Sequence, residues 1–142
     1  MLFRSMVNPR KIYPIDPGFI PVFDRSGELN IGHALETCVL IELDRRGAEV
    51  SYIRSASGTE VDFLAHYPGG RQELIQVCSS LEDQATAERK ARGLEDAAAG
   101  HPKADLVLIT LTSGKAHSIP ANIRLVPVVS WLLSDGRAAG NP

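Results

Sequence analysis

The stretch "TEVDFLAHYPGGRQELIQVC", from Thr59 to Cys78, restricts the fold of this chain more than any other. Pro68, Gly69 and Gly70 are a tight-turn signal between two largely apolar runs, so the pattern predicts an antiparallel hairpin. Gly69 lies midway between Asp62 and Gln76. Symmetric pairing about it sets Asp62 opposite Gln76, Leu64 opposite Leu74 and Glu60 opposite Cys78, with facing Cβ atoms about 4.5–5.5 Å apart. Alternation then gathers Glu60, Asp62, Gln76 and Cys78 on one face, and Val61, Phe63, Ile75 and Val77 on the other. A one-residue slip would turn every side chain of one strand to the wrong face. Polar groups in the middle of such strands need partners, because burying them alone is costly.

Helical periodicity runs from Leu29 to Arg46, with Gly47 as its stop. "EVSYIR" reads as a strand ahead of the hairpin. After "SSLED", the residues Ala87, Ala91, Leu94 and Ala98 recur at helical spacing until Gly100 and Pro102. "ADLVLITL" suits a strand covered on both faces, and "IRLVPVVSWLL" a strand running into a short helix. The predicted order is helix, three strands, helix, strand, strand, helix. That is an α/β chain whose mixed sheet is flanked by helices, an antiparallel meander followed by a right-handed crossover. Residues 1–27 read as an N-terminal arm of short extended segments, 28–134 as one domain and 135–142 as a loose tail.

A length of 142 residues suits one domain with one core, and 44% hydrophobic with 23% charged residues is a globular composition. The formal net charge of -2 gives no global attraction to nucleic acid, so such binding would need a local basic patch. Arg10, Lys11, Arg45, Arg46, Arg54 and Arg71 would supply one if they cluster, and are solubility charges if they do not. Cys38 and Cys78, with no secretory signal, suit a reducing cytoplasm, and no apolar run is long enough for a bilayer. Cys38 reads as a small core residue and Trp131 as a core anchor. "TSGKAH" lacks the spacing of a phosphate-binding P-loop.

Glu36 falls in the helical arc of Val39, Leu40 and Leu43, which should face the core. A carboxylate there would be protonated or held by a cation, unless the helix is rotated so that Glu36 lies at the rim beside an arginine. With Asp62 from the strand and the amide oxygen of Gln76, it makes a hard-cation site of the kind magnesium uses. His33, one turn before Glu36, either joins that site or simply flanks the helix. His66 points toward solvent near the turn, and His101 and His117 sit in loops.

A helix glutamate, then "EVDF", then "LIQVC" and a second helix, resembles the PD-(D/E)XK nuclease superfamily. More narrowly, "NPRKIYPIDPGF", "GTEVDFLAHYPGGRQELIQVCSSLED", "TAERKARGL" and "VPVVSWLL" look like the C-terminal domain that follows the ATPase module in many prokaryotic AAA-type proteins. The resemblance spans about Asn8 to Leu133 and implies a restriction-endonuclease-like αβββαβ core. It implies that Glu36 takes the place of the helix carboxylate and Asp62 that of the metal-binding aspartate, with Mg²⁺ as cofactor. Gln76 stands where the superfamily has its second acid, and Cys78 where it has the catalytic lysine. Gln76 still offers an oxygen but no charge, and Cys78 offers no ammonium.

Lys90 or Arg89 on the second helix would then replace the lysine, or else both are surface charges paired with Glu88 or Glu82. The function implied is a degraded nuclease-like domain, part of an AAA-type ATPase, that handles nucleic acid or regulates the ATPase. Two rivals are a non-catalytic interaction or oligomerisation module on the same fold and an active metal-dependent nuclease with a relocated cation. A thiol-based role for Cys78 is a weaker third.

Overall fold

The two long helices begin where a side chain satisfies a free first-turn amide. Asn30 accepts from the His33 amide at 3.0 Å and opens α1 (Ile31–Arg45). Asp83 does the same for the Thr86 amide at 3.3 Å and opens α2 (Gln84–Ala98). The strands are β1 (Glu49–Arg54), β2 (Glu60–His66), β3 (Gln72–Cys78), β4 (Ala104–Thr110) and β5 (Ile123–Pro127), and α3 (Val128–Leu133) follows β5 directly. This computed structural model describes Tyr13, Asp16 and residues 30–112 and 118–134. The expected arm, Tyr13 and Asp16 apart, lies outside the described residues, as do the tail and His117.

The strands form one five-stranded sheet in the order β1-β2-β3-β4-β5. β1, β2 and β3 are antiparallel neighbours, while β3, β4 and β5 run parallel, so the sheet is mixed. The hairpin is centred as its sequence predicts, with Leu64 opposite Leu74 and His66 opposite Gln72. Gly69 and Gly70 sit at φ of 94° and 92°, which a side chain would strain, and the Gly70 amide closes the turn onto the Tyr67 carbonyl at 3.1 Å.

One sheet face packs Phe63, Ile75, Val77, Val107 and Ile109 against Leu35, Val39 and Leu43 of α1 and Trp131 of α3. The other packs Leu64, Leu74, Leu106 and Leu108 against Ala91, Leu94 and Ala97 of α2. Full burial of each large aliphatic side chain is worth about 1.5–3 kcal/mol, and nearly all of β4 is covered on both faces, as its apolar run requires. Trp131, 2% exposed, is the expected anchor, with the Arg46 guanidinium 4.2 Å over its ring. No helix among the described residues is long and apolar enough to cross a membrane.

Val61 departs from the alternation. It packs with Leu64 on the α2 side instead of with Phe63 on the α1 side. The cause is a bulge. Ser51 and Ile53 of β1 are two residues apart, but their partners Leu64 and Val61 are three apart, so β2 carries one extra residue around Asp62.

Candidate functional site

Odd-numbered residues of β2 and β3 exchange backbone hydrogen bonds from the turn upward, starting with the Tyr67 amide on the Arg71 carbonyl at 2.9 Å. By that rhythm the Val77 amide should reach the Val61 carbonyl. It donates instead to Asp62 Oδ2, at 2.9 Å. The Glu60 carbonyl on the same strand accepts from Gln76 Nε2 at 2.6 Å. The continuous pairs run only from His66↔Gln72 to Phe63↔Ile75. Above them the strands open, and the Asp62 and Gln76 side chains take over the connections that backbone rungs would make. Both residues are buried, at 4% and 2% exposure.

Lys90 of α2 completes this arrangement. Its Nζ lies 3.0 Å from Asp62 Oδ2 and 3.0 Å from Gln76 Oε1. The ion pair is largely shielded, with side-chain exposures of 16% for Lys90 and 5% for Asp62. One ammonium therefore neutralises the aspartate and orients the amide at once, a charge-assisted geometry stronger than neutral hydrogen bonding. Of Lys90 and Arg89, it is Lys90 that contacts Asp62 and Gln76. Arg89 is exposed, and its charge acts on the N-cap Asp83 of its own helix, whose carboxyl is held low first by the Thr86 hydroxyl and amide.

Gly93 sets how closely α2 approaches. A Cβ built on it would meet Thr59 Cγ2 at 2.8 Å, Gln76 Nε2 at 3.3 Å and the Glu60 carbonyl at 3.6 Å. Gly93 lies one turn beyond Lys90 on the same helical face, so a bare backbone there lets the lysine reach the opened hairpin. The sequence signal was a lone glycine inside an alanine-rich helix, which needs a packing reason.

Glu36 lies on α1, which packs on the other sheet face. It is half-buried, and Tyr13 donates its hydroxyl to Glu36 Oε2 at 3.2 Å. The Tyr13 ring stacks on His33 with centroids 5.5 Å apart and leans on Phe63 at 5.8 Å. Burial pushes the phenol far above its ordinary pKa, and the carboxylates of Glu36 and then Asp62 push it further. One ring thus lies within the field of both acids. Tyr13 was missed as a site residue. The only hint was its place in the Pro-rich arm expected to tie back onto the body.

Cys78 is 3% exposed among the apolar residues under α2, and its thiol donates to the Ser80 carbonyl at 2.9 Å. It serves packing and a turn. Cys38 is half-buried, its thiol pushed up by burial and then by Asp16. Glu60 is exposed and lies 3.6 Å from Arg54. The described arginines suggested for a basic patch are spoken for by carboxylates: Arg45 and Arg46 by Glu42, Arg54 by Glu60, and Arg71 by Glu73.

Among the described residues, no group of three or more His, Cys, Asp or Glu is placed to hold a metal ion. Asp62 and Gln76 do converge on one positive group, the Lys90 ammonium, so a cation can sit between them. A divalent ion in that position would have to displace the ammonium. No family model matches this chain, and no curated protein and no solved structure does either.

Proposed function

We propose that the chain is a restriction-endonuclease-like domain of the PD-(D/E)XK type that handles nucleic acid, with its site rebuilt around Lys90. The observation that carries this reading is the single ammonium 3.0 Å from both Asp62 Oδ2 and Gln76 Oε1. A lysine beside the metal-binding aspartate is the group that the third strand lacks at Cys78, and α2, which packs over the face holding Cys78, would supply it. Glu36, Asp62 and Gln76 are the residues that would hold Mg²⁺. The ion would polarise a phosphodiester and lower the pKa of the attacking water. Lys90 would then stabilise negative charge developing on the phosphate.

The same geometry argues for weak turnover. Gln76 removes one negative charge from the expected ligand set, and Lys90 already balances the one on Asp62, so little net charge is left to attract a divalent ion. A domain of this kind, attached to or docked on an AAA-type ATPase, would bind nucleic acid or regulate its partner more readily than cut. The reading of a non-catalytic interaction module draws on a separate observation. Asp62 and Gln76 are buried and stitch the opened strands, a structural task in its own right.

The test is a cleavage assay on single- and double-stranded DNA and RNA with Mg²⁺ or Mn²⁺, with binding measured alongside. It compares the unaltered chain with Asp62→Ala and Lys90→Ala. Weak metal-dependent cleavage that both substitutions abolish, or metal-dependent binding that Asp62→Ala abolishes, supports the nuclease-type reading. Absence of cleavage, with binding untouched by either substitution, leaves the interaction module.

A further inference from the structure

A cavity lies at the end of the sheet where β4 and β5 begin, lined by none of the residues of the candidate site. It measures about 460 Å³, within the roughly 300–1,000 Å³ of small-molecule pockets. Arg71, Asp105 and Arg124 bring charge to its lining, and Ala98, Pro102 and Leu106 give it an apolar side. The two arginines are held from behind. Glu73, 1% exposed, accepts from Arg124 Nη2 at 2.7 Å and lies 3.4 Å from Arg71 Nη1, while the Arg71 guanidinium rests 4.2 Å over the Tyr67 ring. A guanidinium has five N–H donors. Among the described residues Arg124 uses one of them, and its side chain is 47% exposed, so the others are open to a ligand.

Asp105 is the unmatched group. It is exposed, and its carboxylate makes no hydrogen bond or ion pair among the described residues. Glu73 faces Asp105 across β3 and β4, and Arg124 faces Val107 across β4 and β5, so all three charged side chains project from one sheet face. Strand spacing and rise set the Asp105 and Arg124 Cα atoms about 8 Å apart. Arg124 turns to Glu73 instead, which leaves an acid and a base apart in one cavity. Across Arg71, Arg124, Glu73 and Asp105 the formal charges cancel, so a plain anion or a plain cation gains no net attraction. A molecule carrying both signs gains at both ends. We propose that this cavity binds a small zwitterion, an α-amino acid with a compact apolar side chain. Its carboxylate meets Arg124 and Arg71, its ammonium meets Asp105, and its side chain lies against Ala98, Pro102 and Leu106. Such binding is independent of Asp62, Gln76 and Lys90.

Three probes with one carbon skeleton separate the contributions: L-valine, isovalerate, which lacks the ammonium, and isobutylamine, which lacks the carboxylate. Each is titrated into the full chain while backbone amide NMR shifts are followed, and the titrations are repeated on Asp105→Asn and Arg124→Gln, with thermal melting as a check on folding. Asp105→Asn alters an exposed side chain without partners, so it stays informative even if Arg124→Gln, which also loses its bond to Glu73, melts early. L-valine is expected to shift the amides of residues 98–106 and 122–124 saturably. It should bind about tenfold more tightly than either single-charge probe, because a hydrogen bond to a charged group is worth roughly that much or more in an equilibrium. Asp105→Asn should remove the advantage of L-valine over isovalerate. A single-charge probe binding as tightly as L-valine, an L-valine affinity unaltered by Asp105→Asn, or no saturable shift of these amides with L-valine overturns the site.

Discussion

One methyl group separates Gly93 from alanine, and the interior has no place to put it. Helix propensity alone would reward the change by about 1 kcal/mol. Against that stands a Cβ 2.8 Å from Thr59 Cγ2 and 3.3 Å from Gln76 Nε2, and overpacking of this kind costs about 1–3 kcal/mol. The expected outcome is that Gly93→Ala lowers stability in a urea titration although it strengthens the isolated helix. The contact also bears on Gln76, whose amide must stay fixed to meet both the Glu60 carbonyl and Lys90. At this scale the sequence was only partly legible. Asp62 and Gln76 stood out as polar interruptions of apolar strands, whereas the reach of Lys90 depends on a spacing between helix and sheet that no local pattern encodes.

At the scale of elements, the strands and long helices stand where turn residues and periodicity put them, because Gly69, Gly70 and the caps act locally. The bulge in β2 was invisible. It coincides with the bond from the Val77 amide to Asp62 Oδ2, a contact that exists only once β3 is in place. The join between α1 and α3 is also non-local. Glu42, 8% exposed, accepts from Arg45 Nε and Arg46 Nε at 2.7 Å each, while Arg46 Nη2 donates to the Trp131 carbonyl at 2.6 Å. The bond from Arg45, and then that from Arg46, hold the Glu42 carboxyl below its ordinary value of 4.5. A lowered folded-state pKa adds stability that is complete above the unfolded value and is lost as pH falls through the folded one. The stability gap between the unaltered chain and Glu42→Gln, measured by chemical denaturation, should therefore be full near neutrality and shrink progressively below pH 4.5.

Across the whole molecule, Glu73 ties the hairpin to the far edge of the sheet. At 1% exposure it accepts from the Tyr67 hydroxyl at 2.6 Å and from Arg124 of β5 at 2.7 Å, with Arg71 at 3.4 Å. Burial, and then that bond to Glu73, push the Tyr67 phenol well above its ordinary pKa. Glu73→Ala would leave a buried hydroxyl and two guanidinium groups without their common acceptor. The half-exposed Arg124 turns to water, so the main cost is the unsatisfied Tyr67 hydroxyl, and a loss of about 1–3 kcal/mol is expected, read as a fall in the thermal midpoint. A further consequence comes from the arrangement of the strands, whose order across the sheet is their order along the chain. Among the described strands, none leaves the ribosome needing to be wedged between two already joined. Each new strand finds its docking edge already waiting, and synthesis can proceed as simple addition at one side.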